Sequence, residues 1–98
     1  MNITKKQTGT ALKIALEGRL DTITAPDLEK EITENLNGVT ELTLDFSGLE
    51  YISSAGLRVL LVAQRTMHAK GSMKVVHCNE IVREVFDVTG FADILTIE

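Results

Sequence analysis

A chain of 98 residues, 44% hydrophobic and 24% charged, is sized and composed for one globular domain with its own core, which excludes a disordered tail. Its formal charge of −4 comes from 14 acidic against 10 basic side chains, and the dispersed bases with three Phe, one Tyr and no Trp give nucleic acid neither a basic stripe nor a stacking platform. Cys78 is the one cysteine, so no intramolecular disulfide or multi-cysteine metal site forms.

Residues 2–6 and 11–17 read as a hairpin across the polar turn Gln7-Thr8-Gly9-Thr10. Leu12, Ile14 and Leu16 share one face of the second strand, opposite Lys13 and Glu17, the period of a half-buried strand. The strand leaves through Gly18-Arg19-Leu20-Asp21. Thr24 then reads as an N-cap with Asp27 completing a variant capping box, and Pro26 is tolerated in the first turn. Leu28, Ile32 and Leu36 recur on one helical face, and Asn37-Gly38 ends the helix.

Residues 40–46 alternate Leu42, Leu44 and Phe46 against Glu41, Thr43 and Asp45, a further strand, and Ser47-Gly48 reads as a turn after it. Leu49 to Ile52 lead into Ser53-Ser54-Ala55-Gly56, where a long helix begins that is apolar over its first half and closes at Lys70-Gly71. Ser72 to Cys78 supply a strand, Asn79 caps a helix stopping near Gly90, and Ile94 to Ile97 supply a last short strand. The expected fold is therefore α/β, a mixed, mostly parallel sheet with helices in the order β-β-α-β-α-β-α-β.

No apolar leader opens the chain, and the longest apolar run, Val59 to Ala63, is too short to span a bilayer; a cytoplasmic location and no membrane insertion are expected. His68 and His77 have no metal-binding spacing, and the phosphate-cradling and nucleophile-elbow glycine motifs are missing. Neither a metal nor a cofactor is expected. His68 lies about 20 Å along the helix from Ser54, too far to serve as its base. Cys78 reads as a small buried residue rather than a nucleophile.

Attention falls on Ser53, Ser54, Gly56, Leu57 and Arg58. Serine at a helix start is first of all a cap. A glycine in the first turn costs about 0.5–1 kcal/mol against alanine, so Gly56 implies close approach, either by a partner or by packing within the fold. An exposed hydroxyl there also suits a phosphate switch, because the helix start tolerates an anion that an interface would reject. Asp21 reads as a turn former. If the strands ending at Leu20 and near Ser47 open on the same sheet edge, it joins Ser54 in one surface.

The Gly18-Arg19-Leu20-Asp21 exit, the Leu44-Asp45-Phe46 strand, the Ser53-Ser54-Ala55-Gly56-Leu57 helix start and the Val85-Phe86-Asp87-Val88-Thr89-Gly90 segment together resemble the STAS domain, in particular bacterial anti-sigma factor antagonists. The resemblance spans nearly the whole chain and implies a single STAS domain over residues 1–98. It implies a non-enzymatic module that binds an anti-sigma factor with serine kinase activity, releases a sigma factor, and is switched off by phosphorylation at Ser54 until a phosphatase restores it. The partner surface implied comprises Asp21, Ser53, Ser54, Gly56, Leu57 and Arg58. Two positions depart from the pattern: Ser53 stands where the family has Asp, and Arg58 where several relatives have Gly. The alternative is a constitutive STAS binding subunit of a lipid-transport ABC system or a stress-signalling complex.

Overall fold

The computed structural model describes all 98 residues. Strands β1 (Asn2–Thr8) and β2 (Ala11–Leu20) form the expected antiparallel hairpin, with Gly9 at φ 61° in its turn. Helix α1 (Ala25–Asn35), strand β3 (Glu41–Ile52), helix α2 (Ser54–Lys70), strand β4 (Ser72–Val76) and helix α3 (Glu80–Thr89) follow, then a short 3-10 turn over Phe91–Asp93. The sheet order is β1-β2-β3-β4, antiparallel at its first pair and parallel across the other two, which is the expected mixed α/β architecture.

Sequential strand order with right-handed crossovers puts the helices on one face of the sheet. Burial follows that arrangement. Leu12, Ile14, Leu16, Leu42, Leu44, Phe46, Met73 and Val75 point into a continuous core of 24 buried residues, closed from the helix side by Leu28, Ile32, Leu60, Met67, Val82 and Phe86. Phe46 and Phe86 meet with ring centroids 6.4 Å apart, joining β3 to α3. The opposite sheet face is polar: Lys13 and Glu17 are exposed, and Asp45 lies 3.5 Å from the Lys13 ammonium. Burial alone would raise the Asp45 carboxyl pKa, but the Ser47 N–H donated to it and the Lys13 charge outweigh that and lower it.

Four local expectations are corrected. Ser47-Gly48 is not a turn, because β3 runs through it to Ile52. The β2–β3 register steps from Ala15↔Asp45 to Glu17↔Gly48 and from Gly18↔Leu49 to Arg19↔Tyr51, so β3 carries an extra residue at two bulges. At the first bulge a Cβ on Gly48 would lie 2.6 Å from Glu17 Cγ, and this close approach of the two strands is what the glycine serves. The capping box is also not formed: Thr24 makes no side-chain cap bond to α1. β4 stops at Val76 rather than Cys78, because His77 takes φ 61° and turns the chain out of the sheet. Finally, residues 94–97 contribute a single parallel bridge, Val75↔Ile97, in place of a full strand. The α3 boundaries are as expected: Asn79 Oδ1 accepts from the Val82 amide at 2.7 Å, and Gly90 closes the helix at φ 81°.

Candidate functional site

The C-terminal ends of β2 and β3 are adjacent, with Leu20 opposite Ile52, and the Ser53 amide donates to the Leu20 carbonyl at 2.9 Å. Asp21 and Ser53-Ser54 therefore leave the sheet side by side, on the same edge. In an open α/β sheet this carboxyl edge of parallel strands is where loops are held by a rigid scaffold while remaining accessible.

The Asp21 turn is built from its own side chains. Asp21 Oδ1 accepts from the Ile23 amide at 3.0 Å and the Thr24 amide at 3.1 Å, and lies 3.2 Å from the Thr24 hydroxyl oxygen. Thr24 Oγ1 donates to the Arg19 carbonyl at 2.8 Å and accepts from the Asp21 amide at 2.9 Å, which is why it is not available to cap α1. The Thr24 N–H lowers the Asp21 pKa against the opposing effect of desolvation, helped by Ile23, the Thr24 hydroxyl and Arg19. The Arg19 guanidinium lies 4.5 Å from the centroid of the Tyr51 ring, a cation–π contact between register partners. Ile23 projects from the turn with 84% of its surface exposed.

The Ser53 turn is held differently. Ser53 is the α2 N-cap in extended conformation, but its Oγ accepts from the Gly56 amide at only 3.5 Å, a long bond. Ser54 occupies the first helical position, is exposed, and its hydroxyl makes no side-chain hydrogen bond within the chain. Packing fixes this segment: a Cβ on Gly56 would fall 2.8 Å from Leu20 Cγ and 2.9 Å from Ile52 Cγ1. The close approach implied by Gly56 is thus to the fold itself. Gly56 is buried and Leu57 is 6% exposed, so in the free chain both position the helix start rather than stand out from the surface. Asp21, Ser53, Ser54 and Arg58 are the members of the expected surface that reach solvent, Asp21 and Ser53 half-buried and the other two exposed.

Arg19, Ile23 and Tyr51 border the same edge and were not singled out from sequence. The Arg19–Tyr51 contact depends on the second bulge, which the sequence pattern does not disclose. Ile23 is a lone apolar residue between two threonines, without a periodic partner that would mark it. Cys78 lies outside the strand, half-buried, and burial raises its thiol pKa against the weaker opposing charge of Arg83, so it is held as the unreactive thiol. His68 is exposed near the end of α2, and no group of three or more His, Cys, Asp and Glu side chains gathers as a metal site. No helix is long and apolar enough to cross a membrane.

A family model described as "Mlab, STAS domain" matches residues 3–96. A Bordetella bronchiseptica protein named as a candidate anti-sigma factor antagonist, BtrV, is 35% identical over 99% of this chain and 85% of its own length. The anti-sigma-B factor antagonist of Bacillus subtilis is 26% identical, over 99% of this chain and 90% of its own. Among solved structures, the phosphorylated form of the Bacillus cell fate determinant SpoIIAA superposes with a TM-score of 0.77 at 21% identity, covering 99% of this chain and 91% of that one, a likeness of fold.

Proposed function

The chain belongs to the STAS family, and from that premise we propose that it is an anti-sigma factor antagonist switched by phosphorylation of Ser54. It acts by binding rather than catalysis, in the cytoplasm, where an anti-sigma factor with serine kinase activity is both its partner and the source of its modification. The observation that carries this reading is Ser54 itself: an exposed, unbonded hydroxyl at the start of α2, beside the Asp21 turn on the carboxyl edge of the sheet.

In the switching step the kinase transfers the γ-phosphoryl group of ATP to Ser54 Oγ, the hydroxyl loses its proton, and ADP leaves. The product carries about −1.5 to −2 additional charges at neutral pH, on a chain whose formal charge is already −4. The fold tolerates the group, because Ser54 is at the surface and the first amides of α2 face it. A docked partner does not tolerate it, since the dianion must shed water or meet like charge. Hydrolysis by a phosphatase returns the serine and restores binding. Ser53 replaces the carboxylate that the family pattern has immediately before the acceptor, so the acceptor hydroxyl is retained with one less negative charge beside it.

The test is incubation with an anti-sigma factor that has serine kinase activity and ATP, followed by mass spectrometry and binding measurements. The expected product carries one phosphoryl group on Ser54 and none in Ser54→Ala. Ser54→Asp should bind at least about tenfold more weakly with its fold unchanged. Modification at another residue, or no modification within a demonstrated complex, would overturn the phosphorylation site. Undiminished binding by Ser54→Asp would favour the constitutive STAS subunit instead.

A further inference from the structure

We infer that the Arg58 guanidinium is the internal counter-ion for a phosphate on Ser54, drawing that group along the first turn of α2. This rests on reading Ser54 as the acceptor and specifies what the fold does with the phosphate afterwards.

Ser54 and Arg58 are four residues apart in one helix, so they sit on the same face one turn apart, with Cβ atoms about 5–6 Å from each other. Both are exposed. The order is the favourable one, with the anion towards the helix N-terminus and the cation after it. Arg58 is also free. It takes part in none of the four ion pairs of the chain, which join Lys5 to Glu31, Lys13 to Asp45, Arg19 to Asp21 and Lys74 to Glu98. No Asp or Glu occurs within α2, so no carboxylate of its own helix competes for the guanidinium.

The other charges at this edge do not fill the role. Asp21 and Glu50 repel a phosphate. Arg19 is engaged with the Tyr51 ring and lies 4.0 Å from the Asp21 carboxylate. Arg83, on α3, is exposed and in no ion pair either, but Arg58 is the cation on the same helix face as Ser54, and its planar fork of donors matches two phosphate oxygens. Its pull runs along α2, so the phosphate is held over the first turn of the helix and part of its charge is masked.

The test needs no kinase. Phosphoserine is incorporated at position 54 during translation of the full chain, and its phosphorus resonance is titrated with pH in the unsubstituted background, in Arg58→Ala and in Arg58→Lys. A pairing cation favours the dianion, so Arg58→Ala should raise the second phosphate pKa, ordinarily about 6, by about 0.3 or more. Arg58→Lys should restore part of the difference, and about 1 M salt should abolish most of it. Unchanged backbone amide spectra in the unphosphorylated variants check that the fold is intact. Equal phosphate pKa values with and without Arg58 overturn the inference. The two readings fail separately: a kinase that ignores Ser54 removes the proposed function while the titration still reports the pairing, and a kinase that modifies Ser54 with no difference at Arg58 removes the pairing alone.

Discussion

The two strand-to-helix turns at the site edge solve the same problem with opposite materials. After β2 the chain is tied by polar groups: one carboxylate oxygen of Asp21 gathers two amides, and the Thr24 hydroxyl bonds back to the Arg19 carbonyl. After β3 the side-chain polar ties come down to a single long cap bond from Ser53, and beyond its backbone bond to Leu20 the segment is fixed by Gly56 pressed onto Leu20 and Ile52. The contrast explains how a hydroxyl can be both precisely placed and chemically free. A turn held by side-chain hydrogen bonds consumes its polar groups, whereas a turn held by packing leaves Ser54 unengaged.

The comparison breaks most severely at Gly56. Gly56→Ala places a methyl carbon within 3 Å of two side chains that are themselves fully buried, Leu20 at 0% and Ile52 at 2% exposure. Overpacking of this kind costs about 1–3 kcal/mol, and the better helix propensity of alanine offsets up to about 1 kcal/mol of it. A net loss of about 1–2 kcal/mol, or a Tm lower by roughly 4–16 °C, is expected in thermal unfolding. A Tm equal to that of the unsubstituted chain would mean the β3 turn is not fixed by packing.

At Asp21 the expected damage is local. Asp21→Ala removes the acceptor for Ile23 and Thr24, and hydrogen exchange at those two amides should accelerate while α2 amides keep their protection. Asp21→Asn retains an acceptor and should lie between the two. The same turn has a pH signature. Because the folded Asp21 pKa is lowered from 3.8, its contribution is fully present above that value and is lost as pH falls through the lower folded pKa. Protection of the Ile23 and Thr24 amides should therefore fade below about pH 4, and it should not do so in Asp21→Asn. Exchange that ignores pH in this range would show that the carboxylate does not organise the turn.

Ser53 should give the smallest effect. Ser53→Ala removes a bond at the limit of hydrogen-bond length, so the loss belongs at the bottom of the range for helix caps, about 0.5 kcal/mol by chemical denaturation. Ser53→Asp should stabilise by a similar amount, since a carboxylate is a better cap and interacts favourably with the helix start. A loss from Ser53→Ala as large as that from Gly56→Ala would reverse the contrast between the turns.

Much of the architecture is legible in the residues, and the failures have a common cause. Strict alternation gave β2 and the first half of β3, and the Asn79 and Gly90 signals placed α3 correctly at both ends. Alternation stops being informative after Phe46, where buried residues recur at Phe46, Leu49 and Ile52 because the bulges change the period from two to three. A Ser-Gly pair inside that irregularity has the composition of a turn and the function of a bulge. Thr24 has the composition of a cap, yet Asp21 three residues earlier claims its hydroxyl, a competition visible only once the turn is folded. At the site, the positions of Asp21 and Ser54 on a shared edge follow from strand order, but the inward direction of Gly56 and Leu57 depends on how α2 sits against β2 and β3.

The single bridge at Ile97 has a consequence for how this sheet behaves in a crowded solution. Val75 donates to the Thr96 carbonyl and accepts from the Glu98 amide, both at 2.9 Å, so the backbone of the outer strand is already occupied near its C-terminal end. A foreign strand approaching there would first have to displace a native one. The other outer strand, β1, has no such cover, and it carries Lys5 and Lys6 at its centre. Lys5 is paired with Glu31, but Lys6 joins no ion pair, and a second copy stacked in antiparallel register about Lys6 would bring two ammonium groups together. One border is closed by chain and the other by charge, which discourages the strand-to-strand growth that leads to fibrils.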